Sequence, residues 1–390
     1  MSIFNAETMK SIFIKFSSLS IMMFILLYIL LSSGFESVGH FSAVTAITAP
    51  IAMFCQFRYI EVIGLATDDK KEWAFFTSII SSLCIFLLIF VCILILLQFI
   101  DYQNYHLLIL ALVYKFFEMF SDSYIAYLSA IKKSKKAFGV VVIRVFLVVL
   151  CTVVSWMWKH GDVVENILWA MLVAYLISSV LDFILIYRNA KSHVYLKEIW
   201  HYIYANISYG FLAVFVSINS LIPRYFLMYA GDYKSLGLFS VLYLCASFPV
   251  NVFQFAVSLR ASLINDYLEK NFKAQKITII FSLLLIFLLL FLFKYLVSDY
   301  YPLLLLYVVF MFLALMIRGI FITYSISNQL NAYINLAVVS SMVICGACML
   351  WLFKINWFSS SLVFGVFYVF LASSFTTFIL IFKNKRINRC

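Results

Sequence analysis

Runs of about twenty residues that are apolar and nearly free of charge recur along almost the whole chain, separated by short polar breaks. A run of that length makes a helix just able to cross the roughly 30 Å hydrocarbon core of a bilayer, and a water-soluble fold could not bury so many of them. Composition agrees: 65% of the 390 residues are apolar and 12% charged, where ordinary soluble domains carry about 25% charged residues. Apolar windows lie at 12–32, 38–57, 74–97, 105–128, 137–158, 165–187, 206–228, 236–259, 277–297, 302–324, 332–353 and 358–382. The first is about twice the length of a signal-peptide core and no small-x-small cleavage site follows it, so it is expected to remain as a span. These windows predict an all-α polytopic membrane protein of about twelve transmembrane helices.

No polar break is long enough for a separate water-soluble domain, and no GxxxxGK[ST] phosphate loop is present. A nucleotide-driven engine or a catalytic globule is thereby excluded, and no cofactor is expected. The net charge of +11 comes from short basic clusters scattered between apolar runs, which suits a membrane surface and not nucleic acid. Cys345 and Cys348 form a CxxC, but on one apolar helix without a second pair or a histidine. They read, like five other in-span cysteines, as small buried hydrophobes.

Cytoplasmic loops of membrane proteins are enriched in Lys and Arg. With the twelve windows in place, 20 of the 28 basic residues fall on the side of the N-terminus, 4 on the other side, and 4 (Lys115, Arg144, Arg224 and Arg318) inside spans. Both termini are therefore expected in the cytoplasm. Adding or removing one span would scramble this alternation.

A repeat divides the chain. Ser37-Val38-Gly39-His40-Phe41-Ser42 opens the second window and Ser235-Leu236-Gly237-Leu238-Phe239-Ser240 the eighth, 198 residues later. Pro50 and Pro249 follow, and Gln56-Phe57 and Gln254-Phe255 match again. Two six-helix bundles, 1–200 and 201–390, joined by the loop at 188–205, would then share one orientation about an axis along the membrane normal, with a substrate path between them.

A charge at the bilayer centre costs about 2.5–3.5 kcal/mol on insertion scales, so in-span charges face a cavity or a partner. In the fourth window Lys115, Glu118 and Asp122 follow i, i+3, i+7 and share one helix face, with Ser121 and Tyr124 at its edge. Lys115 falls near the midplane. Asp122, Arg144, Asp182 and Arg318 all come within about 10 Å of the cytoplasmic boundary at ~1.5 Å per residue. Asp122 and Arg144 could be a packing ion pair or part of a functional layer. Arg224 follows Pro223 near the outer boundary, where it could instead snorkel to the interface. Aromatics, 19% of the chain, are mostly lipid-facing or interfacial, and a minority could stack on sugar rings.

Three segments carry a resemblance: Phe57-Arg58-Tyr59 with Thr67-Asp68; Lys115-x-x-Glu118-x-x-Ser121-Asp122; and Ile222-Pro223-Arg224-Tyr225-Phe226 leading to Leu236-Gly237-Leu238-Phe239. With the twelve-span layout, they make the chain similar to the bacterial O-antigen and capsular polysaccharide flippases of the multidrug/oligosaccharidyl-lipid/polysaccharide (MOP) superfamily. It departs from their pattern at Ala126 and Ser129, where Gly and Gln would be expected. The resemblance implies a transporter, not an enzyme, moving undecaprenyl-diphosphate-linked oligosaccharide across the bacterial cytoplasmic (inner) membrane by alternating access. Membrane lipid, a polysaccharide polymerase and chain-length proteins would be its other partners.

Lys115, Arg144, Arg224 and Arg318 would then bind the anionic head group, and Glu118, Asp122 and Asp182 would serve ion coupling. Of these, Asp122 has a candidate cation and should stay charged, while Glu118, with only Lys115 nearby, is the expected proton acceptor. A drug or small-solute antiporter of the same fold is the alternative. A membrane-embedded polymerase fits less well, because the longest outer loop, 98–104, is too short to hold a catalytic site.

The charge bias makes a direct prediction. Single cysteines placed at Lys133 or Phe272 should stay unlabelled by a membrane-impermeant thiol reagent in intact cells and react after permeabilisation; labelling from outside would refute this topology.

Overall fold

The computed structural model describes residues 6–56, 71–97, 105–131, 133–158, 161–187, 196–258, 308–309, 311–318, 331–354 and 361–387, and no strand occurs among them. The windows at 277–297 and 302–324, apart from the residues just named, lie outside that set. So do Arg58-Tyr59 with Thr67-Asp68, the outer loop 98–104, the loop residues 188–195 and the side chains of Gln254 and Phe255. The helices are α1 (Ala6–Gln56), α2 (Lys71–Leu97), α3 (Tyr105–Ala130), α4 (Ser134–Trp158), α5 (Val163–Tyr187), α6 (Leu196–Tyr229), α7 (Tyr233–Ser258), α8 (Asn331–Lys354) and α9 (Ser361–Ile387). Residues 311–318 are also helical. The chain divides into two compact units, Met1–Ile218 and Asn219–Cys390, the division falling within α6.

The first two windows are one helical run of 51 residues. A straight rod of that length would extend about 76 Å, more than twice the bilayer core. Gly34 breaks it: φ +80° and ψ −175° place it in a region that only glycine enters at little cost. A second positive φ, +69° at Gly231, ends α6. There the Gly231 N–H donates to the Met228 carbonyl and the Asp232 N–H to the Leu227 carbonyl. Such a left-handed turn satisfies carbonyls that the helix end would otherwise leave open. The Asp232 carboxylate then caps α7 by accepting from the Ser235 N–H at 2.9 Å.

Within the first unit, α1, α3, α4 and α5 pack on one another, with α3 and α5 the most closely joined pair. Phe75 and Phe86 of α2, Leu112 and Tyr124 of α3, and Val141 of α4 form a buried apolar core, in which Phe75 stacks on Tyr127 at 4.6 Å. Lys71 opens α2, and its Nζ donates to the Ala130 carbonyl at the C-terminal end of α3 at 2.9 Å. A residue counted on the sequence as a loop cation thus also meets the negative end of a helix dipole.

Helix α6 begins about ten residues before its apolar window. Its first turns are amphipathic: Ile199, Tyr202 and Ile203 are buried against Ile80 and Ile85, while Trp200 and Tyr204 are exposed. In the second unit α8 packs on α9 and α9 on α7. Gly365 permits the close approach of α9 to α7, for a Cβ there would stand 3.0 Å from the Phe239 ring. Small residues do this commonly between membrane helices.

Residues matched by the sequence repeat have matching environments in their separate units. Val38 and Leu236, Phe41 and Phe239, and Ser42 and Ser240 are all buried to 3% exposure or less. Equal burial is what a duplicated packing motif requires. Pro50, Pro223 and Pro249 sit inside helices that continue through them.

Gly34→Ala should destabilise the protein by about 1–3 kcal/mol through backbone strain alone, since nothing lies within 4 Å of the added Cβ. Gly139→Ala, equally unobstructed but within a regular helix, should be neutral or slightly stabilising. Thermal unfolding of the purified protein in detergent separates the two.

Candidate functional site

The charged stripe of α3 meets α4 and α5 in a single polar network. Lys115 Nζ lies 2.5 Å from Glu118 Oε2, one turn along the same helix. The Tyr175 hydroxyl on α5 donates to Glu118 Oε1 at 3.2 Å. Nearer the C-terminal end of α3, Arg144 Nη1 donates to Asp122 Oδ1 at 2.6 Å. Its Nη2 donates to Ser121 Oγ at 2.7 Å. The Ser121 hydroxyl in turn donates to Asp182 Oδ2 at 2.7 Å. Because its only proton is used there, the Ser178 hydroxyl, 3.2 Å away, must be the donor in their contact.

Arg144 and Asp182 are 1% and 2% exposed. The Arg144 guanidinium also lies over the Tyr175 ring, 5.6 Å from its centroid, and its Nε is enclosed without a hydrogen-bond partner. A buried arginine can be held this way because its planar fork reaches two acceptors at once and its face meets an aromatic ring.

Asp122, Arg144 and Asp182, expected at one depth, are therefore joined through Ser121, and Lys115 and Glu118 sit one turn further along α3. The network holds three carboxylates and two cations. Lys115 pairs with Glu118 and Arg144 with Asp122. Asp182 takes its hydrogen bond from a neutral hydroxyl, so its charge is met by Arg144 only at one remove. Glu118 has a second donor, Tyr175, that the pattern of charges did not reveal.

Tyr175, Ser178 and Asp182 are spaced i, i+3, i+7 on α5, the same spacing as the stripe on α3. That was the available signal for them. At the departures from the flippase pattern, Ala126 packs against the apolar core and Ser129 donates to the Ile125 carbonyl of its own helix at 2.8 Å.

The second unit holds a different cluster. Arg224 on α6 lies over the Tyr243 ring of α7, 5.8 Å from its centroid, and its Nε is enclosed without a hydrogen-bond partner. The side chain is thus folded onto α7 instead of snorkelling away from it. Arg318, in the helical residues 311–318, is within electrostatic reach of Tyr243 and Tyr368. Tyr368 of α9 donates to Asn219 Oδ1 at 2.7 Å, and Asn219 Nδ2 donates to Ser341 Oγ of α8 at 3.3 Å.

Among the described residues neither arginine has a carboxylate partner. From Asn219 onward the chain contains only four acids: Asp232, which caps α7, and Asp266, Glu269 and Asp299, which fall outside the apolar windows. An unpaired cation within a span costs about 2.5–3.5 kcal/mol on insertion scales, so keeping two of them calls for a compensating role.

Neither a protein-family model nor a curated protein matches the sequence. Solved structures do match over almost the full length. The outward-facing conformation of a multidrug resistance MATE family transporter of the MOP superfamily aligns with 98% of this chain and 96% of its own, at 13% identity and TM-score 0.61. The inward-facing conformation of such a transporter covers 98% and 94%, at 11% identity and TM-score 0.60. A MOP superfamily transporter from Pyrococcus furiosus, described as having a binding pocket of reverse polarity that suggests a different function, covers 98% and 95% at 12% identity and TM-score 0.55.

The chain is an all-α, multi-pass membrane protein. Its fold is that of the MATE transporters of the MOP superfamily. Five described helices are long and apolar enough to cross a membrane, and three shorter apolar helices accompany them.

Breaking the buried pair is expected to be costly. Arg144→Ala leaves Asp122 and Asp182 without their cation and should lower stability by about 3 kcal/mol. Because the Asp122 side chain is 37% exposed, the loss should lie at the low end of the range for buried pairs. Removing Asp122 in the Arg144→Ala background should cost less than removing it alone. Thermal unfolding of the four proteins of this double-mutant cycle measures the difference.

Proposed function

We propose that the protein is a flippase that carries undecaprenyl-diphosphate-linked oligosaccharide, an O-antigen or capsule repeat unit, from the inner to the outer leaflet of a bacterial cytoplasmic membrane. It works by alternating access of two lobes, with both termini in the cytoplasm. The observation that carries this reading is the state of the in-span charges. Every in-span acid named above lies in the first unit and is already hydrogen-bonded, while the second unit keeps two cations without a carboxylate partner among the described residues. An exporter of cationic drugs needs a carboxylate free to meet its cargo. A carrier of a diphosphate and acidic sugars needs cations free instead.

In this reading Lys115, Arg144, Arg224 and Arg318 supply positive charge along the path of the head group, and the polyprenyl tail stays in lipid. The fold, the resemblance in three segments and the lack of any nucleotide-binding motif support a carrier without its own fuel. Coupling to an ion gradient is assigned to Glu118, Asp122 and Asp182. Within that set Asp182 is the carboxylate with no cation directly upon it, and Glu118 is the one whose cation, Lys115, a passing diphosphate would draw away.

A drug or small-solute antiporter is the second reading, favoured by the multidrug resistance transporters among the structural neighbours; fold alone does not decide substrate. Deleting the gene in its native bacterium separates the two. The flippase reading expects loss of surface glycan with accumulation of its lipid-linked precursor. Intact glycan with sensitivity to cationic dyes would favour the antiporter. In proteoliposomes loaded with lipid-linked oligosaccharide, an imposed pH gradient should accelerate transfer by the wild type but not by Asp182→Asn or Glu118→Gln. An unchanged response in both variants would remove these carboxylates from coupling.

A further inference from the structure

Three helices of the first unit part at one end. There residues 24–32 of α1, 152–156 at the end of α4 and 163–166 at the start of α5 line a cavity of about 710 Å³, within the roughly 300–1,000 Å³ typical of small-molecule sites. None of the residues of the charged network lines it. Arg144, the member of that network on α4, lies eight residues before Thr152, about 12 Å along the helix. In the orientation proposed above, this end of the unit faces the outer leaflet.

The lining selects a kind of ligand. No charged side chain occurs among the described residues that form it, so a diphosphate would meet no cation there and a cationic drug no carboxylate. Ser32, Thr152, Ser155 and Asn166 are neutral and polar, and Tyr28 and Trp156 are aromatic with a polar edge. An acyl chain would take water from these groups and return no hydrogen bond. A sugar ring matches both kinds: its hydroxyls donate and accept, and its C–H face is apolar and flat enough to lie on an aromatic ring.

Thr152 carries the argument furthest. It is 1% exposed, and its Oγ1 is enclosed without a hydrogen-bond partner. Threonine hydroxyls in helices commonly return to a carbonyl one turn back, as Thr48 does to Val44 at 3.1 Å and Thr376 to Ala372 at 2.7 Å. A buried hydroxyl that does not is unfavourable until something supplies the missing bond. Trp156 follows one turn later on the same face of α4 and is 54% exposed. An interfacial belt accounts for an exposed tryptophan at a helix end, but not for the unpaired hydroxyl one turn further in. The α5 side of the cavity is held in place, for Asp162 caps that helix by accepting from the Val164 N–H at 3.2 Å.

We infer that this cavity is a subsite for uncharged sugar residues, with Tyr28 and Trp156 offering surfaces for the ring and Thr152, Ser155 and Asn166 meeting its hydroxyls. The flippase reading supplies its biological ligand, the glycan part of the lipid-linked cargo, and assigns the sugars a place apart from the cations that would meet the diphosphate. The subsite itself can be tested without transport.

The experiment uses the full-length protein in a detergent without a sugar head group, labelled with fluorotryptophan and followed by fluorine NMR. Trp156→Phe identifies the Trp156 resonance among the seven tryptophans. The probes are glucose, galactose, mannose, rhamnose and N-acetylglucosamine, with glucuronate and oleate as comparisons at equal concentration. At least one neutral sugar should shift the Trp156 resonance saturably and leave the other six in place. Glucuronate should bind several-fold more weakly than glucose, because its carboxylate would enter a cavity without a cation. Thr152→Val should weaken binding of the best sugar about tenfold, the loss of one hydrogen bond. It should not lower the unfolding temperature of the sugar-free protein, since the hydroxyl it removes is unpaired.

No saturable shift with any neutral sugar would overturn the subsite, and a shift with oleate alone would make the cavity a lipid groove. A Thr152→Val protein that is less stable but binds sugar normally would show that the hydroxyl serves the fold, and would remove Thr152 from the assignment. If sugars bind while gene deletion leaves surface glycan intact, the subsite stands and the flippase reading falls. If none binds while deletion abolishes surface glycan, the flippase reading stands and the sugars pass elsewhere.

Discussion

The bidentate hold of Arg144 on Asp122 and Ser121 is the contact on which the polar interior of the first unit depends. It joins α3 to α4 directly, and through Ser121 it reaches Asp182 on α5. Burying a guanidinium to 1% exposure is tolerable only if its charge is met inside the protein, as Asp122 and Ser121 do for its two terminal nitrogens, because hydrocarbon offers no substitute for water. The requirement runs in both directions. Asp122 is bonded directly to that arginine, and the buried carboxylate of Asp182 reaches it through Ser121. Three helices are thereby fixed at one level by polar contacts, while the apolar surface around Phe75, Phe86 and Tyr124 supplies packing that alone would not set their register.

Much of the fold was legible because the bilayer imposes a one-dimensional rule: apolar length marks a helix and a polar break marks its end. The bend at Gly34, the starts of α3, α5 and α7, and the buried repeat positions all follow from that rule and from the properties of glycine. It misplaced the start of α6, because residues 196–205 form an amphipathic helix with one buried face, and a search for uniformly apolar windows passes over such a segment. Nor could it show that Lys71, counted as a loop charge, closes the end of α3.

The site was legible only in part. The stripe on α3 and the pairing of Asp122 with Arg144 could be read because helix periodicity and opposite charge are both written in one dimension. The hydrogen bond from Tyr175 to Glu118, the relay through Ser121 and Ser178, and the approach of Arg224 to Tyr243 are relations between helices. They depend on rotation about each helix axis, and apolar windows carry almost no information on that rotation. Tyrosine and serine add to the difficulty, being so common in this chain that individual positions do not stand out.

Duplication and divergence are separable here. Val38, Phe41 and Ser42 and their matches Leu236, Phe239 and Ser240 are apolar or small and are buried alike in both units, so what these positions share is a way of packing helices. The charges were not copied. None of Lys115, Glu118, Asp122, Arg144 and Asp182 has a charged residue of its own kind 198 positions later, where the sequence has Leu313, Met316, Ile320, Met342 and Leu380. The first unit therefore carries an internally paired set of charges that can sit in a low-dielectric surrounding with little help from outside, and the second carries Arg224 and Arg318 without a carboxylate partner among the described residues. Paired charges inside the first half, and two in-span arginines without a described carboxylate partner in the second, give each half a distinct electrostatic character on a shared scaffold.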